Sequence, residues 1–359
     1  MSNGLDRYYS ILAGKEKAYF LLAKQIPVDF SSSQSDEELW DIHRRAMEEF
    51  RSFISHSSSM RLSGETGTSR NNRSLLDLKL ELSRRMMSSC EICERRCHVN
   101  RLEGNKGICG VLDAKIASEF LHYGEEPPLV PSYTVFFSGC NFRCAYCQNH
   151  DISTNPQLGL CIPPPVMAEK ISQRFGGRGG TVVASSPRDM SLMRALNVNW
   201  VGGDPTPNLH YIIDVLRHTS INAPQVWNSN MYLTQRSIAL LDGLIDIYLT
   251  DFKYGNNSCA KRLSCINNYI EVITRNHIIA ARQCEIIVRH LVLPNHVECC
   301  TKPVLRWIAD NIPKAVVNVM DQYRPLHRAF EHSDINRPLK YSEFEEAYSF
   351  ASELGLRLI

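Results

Sequence analysis

The feature that most constrains this chain is a repeated alternation, from Tyr133 onward, of short β-rich runs with longer segments whose apolar residues recur at helical spacing. The β-rich runs fall at 134–137, 198–201, 225–228, 245–250, 285–291 and 315–319, and the helical segments at 166–175, 209–217, 234–241, 266–281 and 304–312. Strands that each return through a helix lie parallel, with right-handed crossovers and helices on the outside. Six such units suit a partial barrel better than a closed ring of eight. The expected fold class is therefore α/β, a partial (β/α)6 TIM-like barrel with a helical N-terminal extension and a small Cys-rich segment, and its reactive groups belong at the strands' carboxyl ends. The glycine run at 176–180, followed by 181–184, finds no fixed place in this count: it reads as a glycine turn with a further strand, or as an insertion.

Residues 1–88 read as a helical preface. Ser35-Asp36-Glu37-Glu38 fits a capping box, and Leu39, Ile42, Ala46, Phe50 and Phe53 then mark one apolar helix face that should pack on the catalytic body. A Ser-rich linker at about 55–73 has the composition of a flexible connector, and a short helix over 75–87 follows it. The expected division is thus 1–88, a four-cysteine metal-binding segment at 89–132, the barrel at 133–325, and a C-terminal helical segment at 326–359. In the last, Phe344, Ala347, Tyr348, Ala351 and Leu354 share a face and Gly355 supplies the cap. Forty Lys and Arg against 38 Asp and Glu leave a net charge of +2, which gives no basic field for nucleic acid. The chain contains no apolar run of membrane-spanning length, and its start lacks the apolar stretch of a secretory signal, so a soluble cytoplasmic protein is expected.

Thirteen cysteines are more than packing usually employs, and in a reducing compartment clustered thiols more often bind metal than form disulfides. Cys140, Cys144 and Cys147 follow directly on the first predicted strand, spaced x3 then x2. Three such thiolates can hold three irons of a [4Fe-4S] cluster and leave the fourth open to a small molecule. Alternatively they form a zinc site with His150 as fourth ligand, or are buried structural residues. Cys90, Cys93, Cys97 and Cys109, with Arg101, Gly104 and Gly107 between the last two, suit a zinc ion, a second Fe-S cluster or a metal-free structural group. The other six cysteines, Cys299 and Cys300 among them, lack ligand spacing.

The Cys140-x3-Cys144-x2-Cys147 motif, with aromatic Tyr146 before its last cysteine, resembles the signature of radical S-adenosylmethionine (radical SAM) enzymes. Phe136 to Asn149, the upstream cysteine group and His122-Tyr123-Gly124-Glu125-Glu126-Pro127-Pro128 together look like the PflX-type branch, related to pyruvate formate-lyase activating enzymes, over residues 89–325. The resemblance implies a [4Fe-4S] cluster and S-adenosylmethionine as cofactors, held in a partial barrel of six strand-helix units. The cofactor would be cleaved reductively to methionine and a 5′-deoxyadenosyl radical that abstracts hydrogen from substrate, with electrons from flavodoxin or ferredoxin. Gly202-Gly203-Asp204 resembles the family's Gly-Gly-acid segment for the methionine amino group. Asp251-Phe252-Lys253 resembles an Asp-x-Lys that meets the ribose and the carboxylate. Asn228 closes the third candidate strand, one before that of Asp251, and Arg289-His290 with Asn295-His296 offers a polar wall on which His290 would face the adenosyl group. Met320-Asp321-Gln322-Tyr323 would line the substrate side. No side chain is assigned to acid-base catalysis. The glycine run after Phe175 and the four upstream cysteines depart from the minimal activating enzyme.

Three functions follow from these residues. The first is modification of a protein, such as generation of a glycyl radical. The second is maturation of a peptide or small molecule with the four-cysteine group as an auxiliary cluster. The third is a non-enzymatic zinc or Fe-S binding module.

Overall fold

The computed structural model describes residues 4–57, 73–175 and 194–359. Eight strands form one sheet in sequential order. β1 (Ile116–His122) runs antiparallel to β2 (Ser132–Phe137). From β2 onward every neighbouring pair is parallel, through β3 (Asn197–Gly202), β4 (Gln225–Ser229), β5 (Ile247–Asp251), β6 (Glu285–Leu291), β7 (Val316–Met320) and β8 (Arg357–Leu358). The helices are α1 (Asp6–Leu12), α2 (Tyr19–Ala23), α3 (Asp36–Ser57), α4 (Leu75–Arg85), α5 (His150–Ser153), α6 (Pro164–Phe175), α7 (Leu209–His218), α8 (Gln235–Leu241), α9 (Asn257–Ser264), α10 (Tyr269–Gln283), α11 (Lys302–Asn311) and α12 (Tyr341–Glu353). A helix follows each of β2 to β7, the winding of a barrel wall. The edges β1 and β8 do not pair with each other, so the wall stays open. The expected partial barrel is the observed fold, and its six predicted strands are β2 to β7.

Two strands escaped the sequence pattern. β1 is mostly half-exposed, and β8 has two residues, too few to show a period. The stretch 176–184 and most of the 55–73 connector lie outside the described residues.

Strand pleating sorts side chains into an outer face, buried under the helices, and an inner face. Val226, Ile247, Leu249, Ile287 and Val316 form an apolar layer inside the barrel together with Leu5, Tyr8 and Leu129. Leu5 and Tyr8 flank the start of α1, which therefore plugs the barrel. Arg7 fixes the plug by donating from its backbone N to Glu285 (2.7 Å) and from Nη1 to Asp246 (2.6 Å), where β6 and β5 begin. Two residues beyond the apolar layer on the same strand faces stand Asn228, Asp251 and Arg289, which line a cavity at the strands' carboxyl ends. The plug closes one end of the barrel, and polar groups equip the other.

The capping box is present: Ser35 N donates to Glu38 Oε2 (2.7 Å) and Glu38 N to Ser35 Oγ (3.3 Å). Leu39, Ala46 and Phe50 are buried, with Ile42 and Phe53 packed beside them. α3 lies on α4, which packs against α7 and α8. Among the described residues, no helix is long and apolar enough to cross a membrane.

Candidate active site

The cavity, about 440 Å³, is lined by Cys140, Cys144, Tyr146 and Cys147 from the loop after β2, Gly202 to Asp204 after β3, Asn228 to Asn230 at the end of β4, Asp251 and Lys253 at β5, and Arg289 and Leu291 on β6. Every sequence-predicted cofactor residue except His290 is thus brought to one place. Consecutive parallel strands end at the same level, so residues far apart in sequence converge there.

The cysteine loop is fastened from several sides. Arg143 N donates to Ser264 O (3.1 Å) and Ala145 N to Leu263 O (2.7 Å), pinning the loop to the end of α9. The Arg143 guanidinium donates to Cys140 O (2.6 Å), Phe142 O (2.8 Å) and Ile108 O. Phe142 N donates to Cys140 Sγ (3.3 Å) and Ser264 Oγ to Cys144 Sγ (3.0 Å), and donors of this kind tune the potential of a thiolate-held cluster. Burial raises the Cys140 and Cys144 thiols, the latter to about 11 although Lys253 opposes it. Loading a metal must therefore release protons from them.

The glycine pair serves close packing. Gly202 has φ +124°, and a Cβ there would lie 2.1 Å from Phe137 O; a Cβ on Gly203 would lie 2.2 Å from Gly139 O. The loop after β3 thus rests backbone to backbone on the cysteine loop, which no larger residue permits. Asp204 is buried and occupied by protein donors: Thr206 N (2.9 Å), Asn230 N (2.9 Å) and Ser229 Oγ (3.1 Å). Its carboxylate ties the ends of β3 and β4 together, and the Asn230 amide in turn donates to Asn141 Oδ1 (2.7 Å). Burial pushes the Asp204 carboxyl up, against the pull of these hydrogen bonds.

Opposite stands a charged array. Asp251 accepts from Lys253 Nζ (2.9 Å) and Arg289 Nε (3.0 Å), and Arg289 also reaches Glu125 (3.5 Å) and Asn228 Oδ1. Burial alone would raise the Asp251 carboxyl, but Arg289 and Lys253 outweigh it and hold it at about 2. Burial likewise opposes the charge on Lys253, and Asp251 prevails there. Tyr146 is buried, its hydroxyl donating to Tyr254 (2.8 Å).

His290 takes no part in the cavity. It alternates with Arg289 along β6 and points to the opposite face, where Phe252 O meets Nδ1 (2.7 Å) and Thr301 Oγ1 meets Nε2 (2.9 Å). Burial lowers its pKa to about 4, so the ring is neutral, with Nδ1 as donor. His296 is buried against Pro294 O (2.7 Å), and Asn295 binds Asp334 O (2.6 Å); neither lines the cavity. Met320 and Gln322 do line it, whereas Tyr323 packs behind Tyr146. His150 stacks on His327 (5.0 Å) and is absent from the lining, so the zinc alternative lacks its fourth ligand. His122, Gly124 and Glu125 also line the wall; their signal in the sequence was the His122 to Pro128 run itself.

The four-cysteine segment lies against the same loop. Arg95 Nε donates to Asn141 O (2.9 Å), and Glu94 N donates to Tyr232 O (3.2 Å). Burial raises the Cys93 thiol most, and nearby Cys109, Cys90 and Cys97 add to it, so the four sulfurs are electrostatic neighbours. Among the described residues, however, neither this group nor Cys140, Cys144 and Cys147 brings three donor atoms within 4.8 Å of one another. A single tetrahedral zinc, at about 2.3 Å per Zn–S bond, needs sulfurs about 3.8 Å apart. Neither group is closed to that spacing.

A family model described as the Radical SAM superfamily matches residues 134–308. Uncharacterized protein MJ0674 of Methanocaldococcus jannaschii is 43% identical over 365 residues, covering 99% of each chain. MJ0808 of the same organism is 37% identical over 84 residues, 19% of this chain and 25% of that one. Among solved structures, Streptococcus suis SuiB bound to precursor peptide SuiA superposes with TM-score 0.43 at 11% identity, and SuiB bound to S-adenosylmethionine with 0.40 at 10%. Each covers 88% of this chain, which spans 62% of the SuiB chain. The chain carries a radical SAM superfamily domain and is an enzyme of that class. Its cofactors are a [4Fe-4S] cluster and S-adenosylmethionine. The cavity fits them: it is lined by three thiols, has a volume within the range of small-molecule sites, and carries the charged array of Asp251, Lys253 and Arg289.

Proposed function

We propose that Cys140, Cys144 and Cys147 hold the cluster, that Asp251 accepts from a ribose hydroxyl, and that Lys253 pairs with the cofactor carboxylate. The observation that carries this reading is the convergence of the three thiols and the Asp251, Lys253 and Arg289 array in one cavity. Cluster and cofactor, when bound, supply reductive cleavage of the sulfonium and a radical able to abstract hydrogen. This chain's residues bind and orient. Tyr146 walls the cluster side, Asp204 holds Asn230 and Ser229 in place, and the Leu5 and Tyr8 plug excludes water from the far end of the barrel.

In this reading the four-cysteine group holds a second Fe-S cluster. Support comes from sulfurs that neighbour one another without closing to zinc spacing, and from direct hydrogen bonds between this segment and the Cys140 loop. A relay into the first cluster, or a mooring for substrate, follows from that adjacency. Such an arrangement favours maturation of a peptide or protein over simple glycyl-radical activation, with a flavodoxin or ferredoxin as electron donor. The open wall between β1 and β8 gives a large substrate a way in. Anaerobic reconstitution should yield about eight irons per chain, against about four for a lone cluster. Cys144→Ala should abolish 5′-deoxyadenosine formation under dithionite, while Cys93→Ala should retain basal cleavage and lose about four irons. Equal cleavage by Cys144→Ala and parent would overturn the ligand assignment.

A further inference from the structure

Three cysteines outside both motifs come together in space. Cys259 lies in the first turn of α9, while Cys299 and Cys300 lie in Val297–Thr301, a single π-helical turn between β6 and α11. Their three sulfurs lie within 4.8 Å of one another, and among the described residues no other group of His, Cys, Asp or Glu meets that spacing. The separation of Cys299 Sγ from Cys300 Sγ is 3.8 Å. Zn–S bonds of about 2.3 Å at the tetrahedral angle place neighbouring ligand sulfurs about 3.8 Å apart, so this pair already has metal-ligand spacing.

Adjacent residues on an α-helix point about 100° apart. The wider π turn, a device often found at functional sites, accompanies the approach of the two thiols here. Asn256 holds the partners together: Oδ1 accepts from Cys259 N (2.8 Å), and Nδ2 donates to Cys299 O (2.8 Å) and towards Cys300 Sγ (3.8 Å). Cys300 is buried, Cys259 half-buried and Cys299 exposed, so the group has a floor and an outer face open to an ion or a fourth ligand. Arg262, one turn beyond Cys259, lies beside the Cys259 thiol, its guanidinium paired with Asp334 (2.9 Å and 2.5 Å). None of the three cysteines lines the cavity.

We propose that Cys259, Cys299 and Cys300 form a separate three-thiolate site for one thiophilic metal ion, with zinc(II) the ion that fits. Three thiolates are a soft donor set that selects zinc or copper(I) over magnesium or calcium. Binding exchanges three thiol protons for one divalent ion and leaves a net charge of −1. The ion would lock the start of α9 to the π turn. Thr301, at the end of that turn, bonds His290, so the lock would steady the wall behind β6.

The test uses anaerobically reconstituted full-length protein with its iron sites filled, titrated with zinc(II) alone against a chromophoric chelator. Parent and Cys161→Ser, an exposed cysteine outside the group, should each bind one further zinc equivalent. Cys259→Ser and Cys299→Ser should each lose that equivalent with iron and sulfide contents unchanged. Cys299 is exposed, so its replacement leaves the fold intact, and the iron count verifies this. No zinc bound beyond the iron sites in the parent, or equal zinc in parent and both variants, would overturn the site. Neither outcome bears on the cluster assignment, which the iron count and 5′-deoxyadenosine formation report separately.

Discussion

Asp251→Asn isolates the charged array at the end of β5. In the folded protein the Asp251 carboxyl sits at about 2 instead of its ordinary 3.8, because Arg289 at 3.0 Å and Lys253 at 2.9 Å outweigh the cost of burial. At about 1.36 kcal/mol per tenfold change, that interval contributes about 2.4 kcal/mol of stability. The sign follows from the lowered value: the contribution is complete above the unfolded carboxyl's value near 4 and disappears as pH falls through 2. The asparagine variant lacks it at every pH. Urea unfolding of cluster-free protein should therefore separate parent from variant by about 2.4 kcal/mol at pH 7.5 and by about 1.3 kcal/mol at pH 3. After reconstitution the variant should also bind S-adenosylmethionine about tenfold more weakly, the loss of one hydrogen bond to a charged acceptor at about 1.5 kcal/mol. A stability gap below about 0.5 kcal/mol at pH 7.5, or one that does not narrow towards pH 3, would refute the electrostatic reasoning.

Gly203→Ala sets a methyl group 2.2 Å from Gly139 O and must displace the cysteine loop. The expected result is iron incorporation at less than half the parent level with unchanged far-ultraviolet circular dichroism, and parent-level iron would refute the packing role. Lys79 is buried against His43 Nε2 (2.9 Å), and burial lowers its pKa from 10.5 to about 7. Between these values the unfolded chain binds the extra proton, so stability rises with pH; between pH 7 and 10 the parent should gain about 3.5 kcal/mol relative to Lys79→Met in urea unfolding. A gap that does not change with pH would refute it.

The barrel was legible because its signal is periodic. Each of β2 to β7 is flanked by segments of a different hydrophobic period, and a chain of alternating elements has few topologies open to it. β1 was missed for the converse reason: it is an antiparallel edge strand that is mostly half-exposed, and its pairing with β2 lies in the fold. α9 was missed because its Asn257 to Ser264 run is short and polar, begun by a side-chain cap at Asn256.

Within the site, motif residues were legible wherever function is written contiguously, as in Cys140 to Cys147 or Asp251 and Lys253. Orientation was less so. Arg289 and His290 are neighbours in sequence, yet pleating sends the arginine into the cavity and the histidine behind it, and only the register of β6 against β5 decides which. Asp204 was recognised as a candidate, but its occupation by Thr206, Ser229 and Asn230 depends on β3 and β4 ending side by side. The Cys259, Cys299 and Cys300 group lies at the far end of this scale. Forty residues separate its members, and no spacing rule relates them. They meet because β5 and β6 are neighbours whose following segments, α9 and the π turn, rise on the same side of the sheet. Parallel-barrel topology gathers thiols in this way without leaving a trace in linear spacing, so a cysteine count in such a chain bounds its metal sites only after the strand order is known.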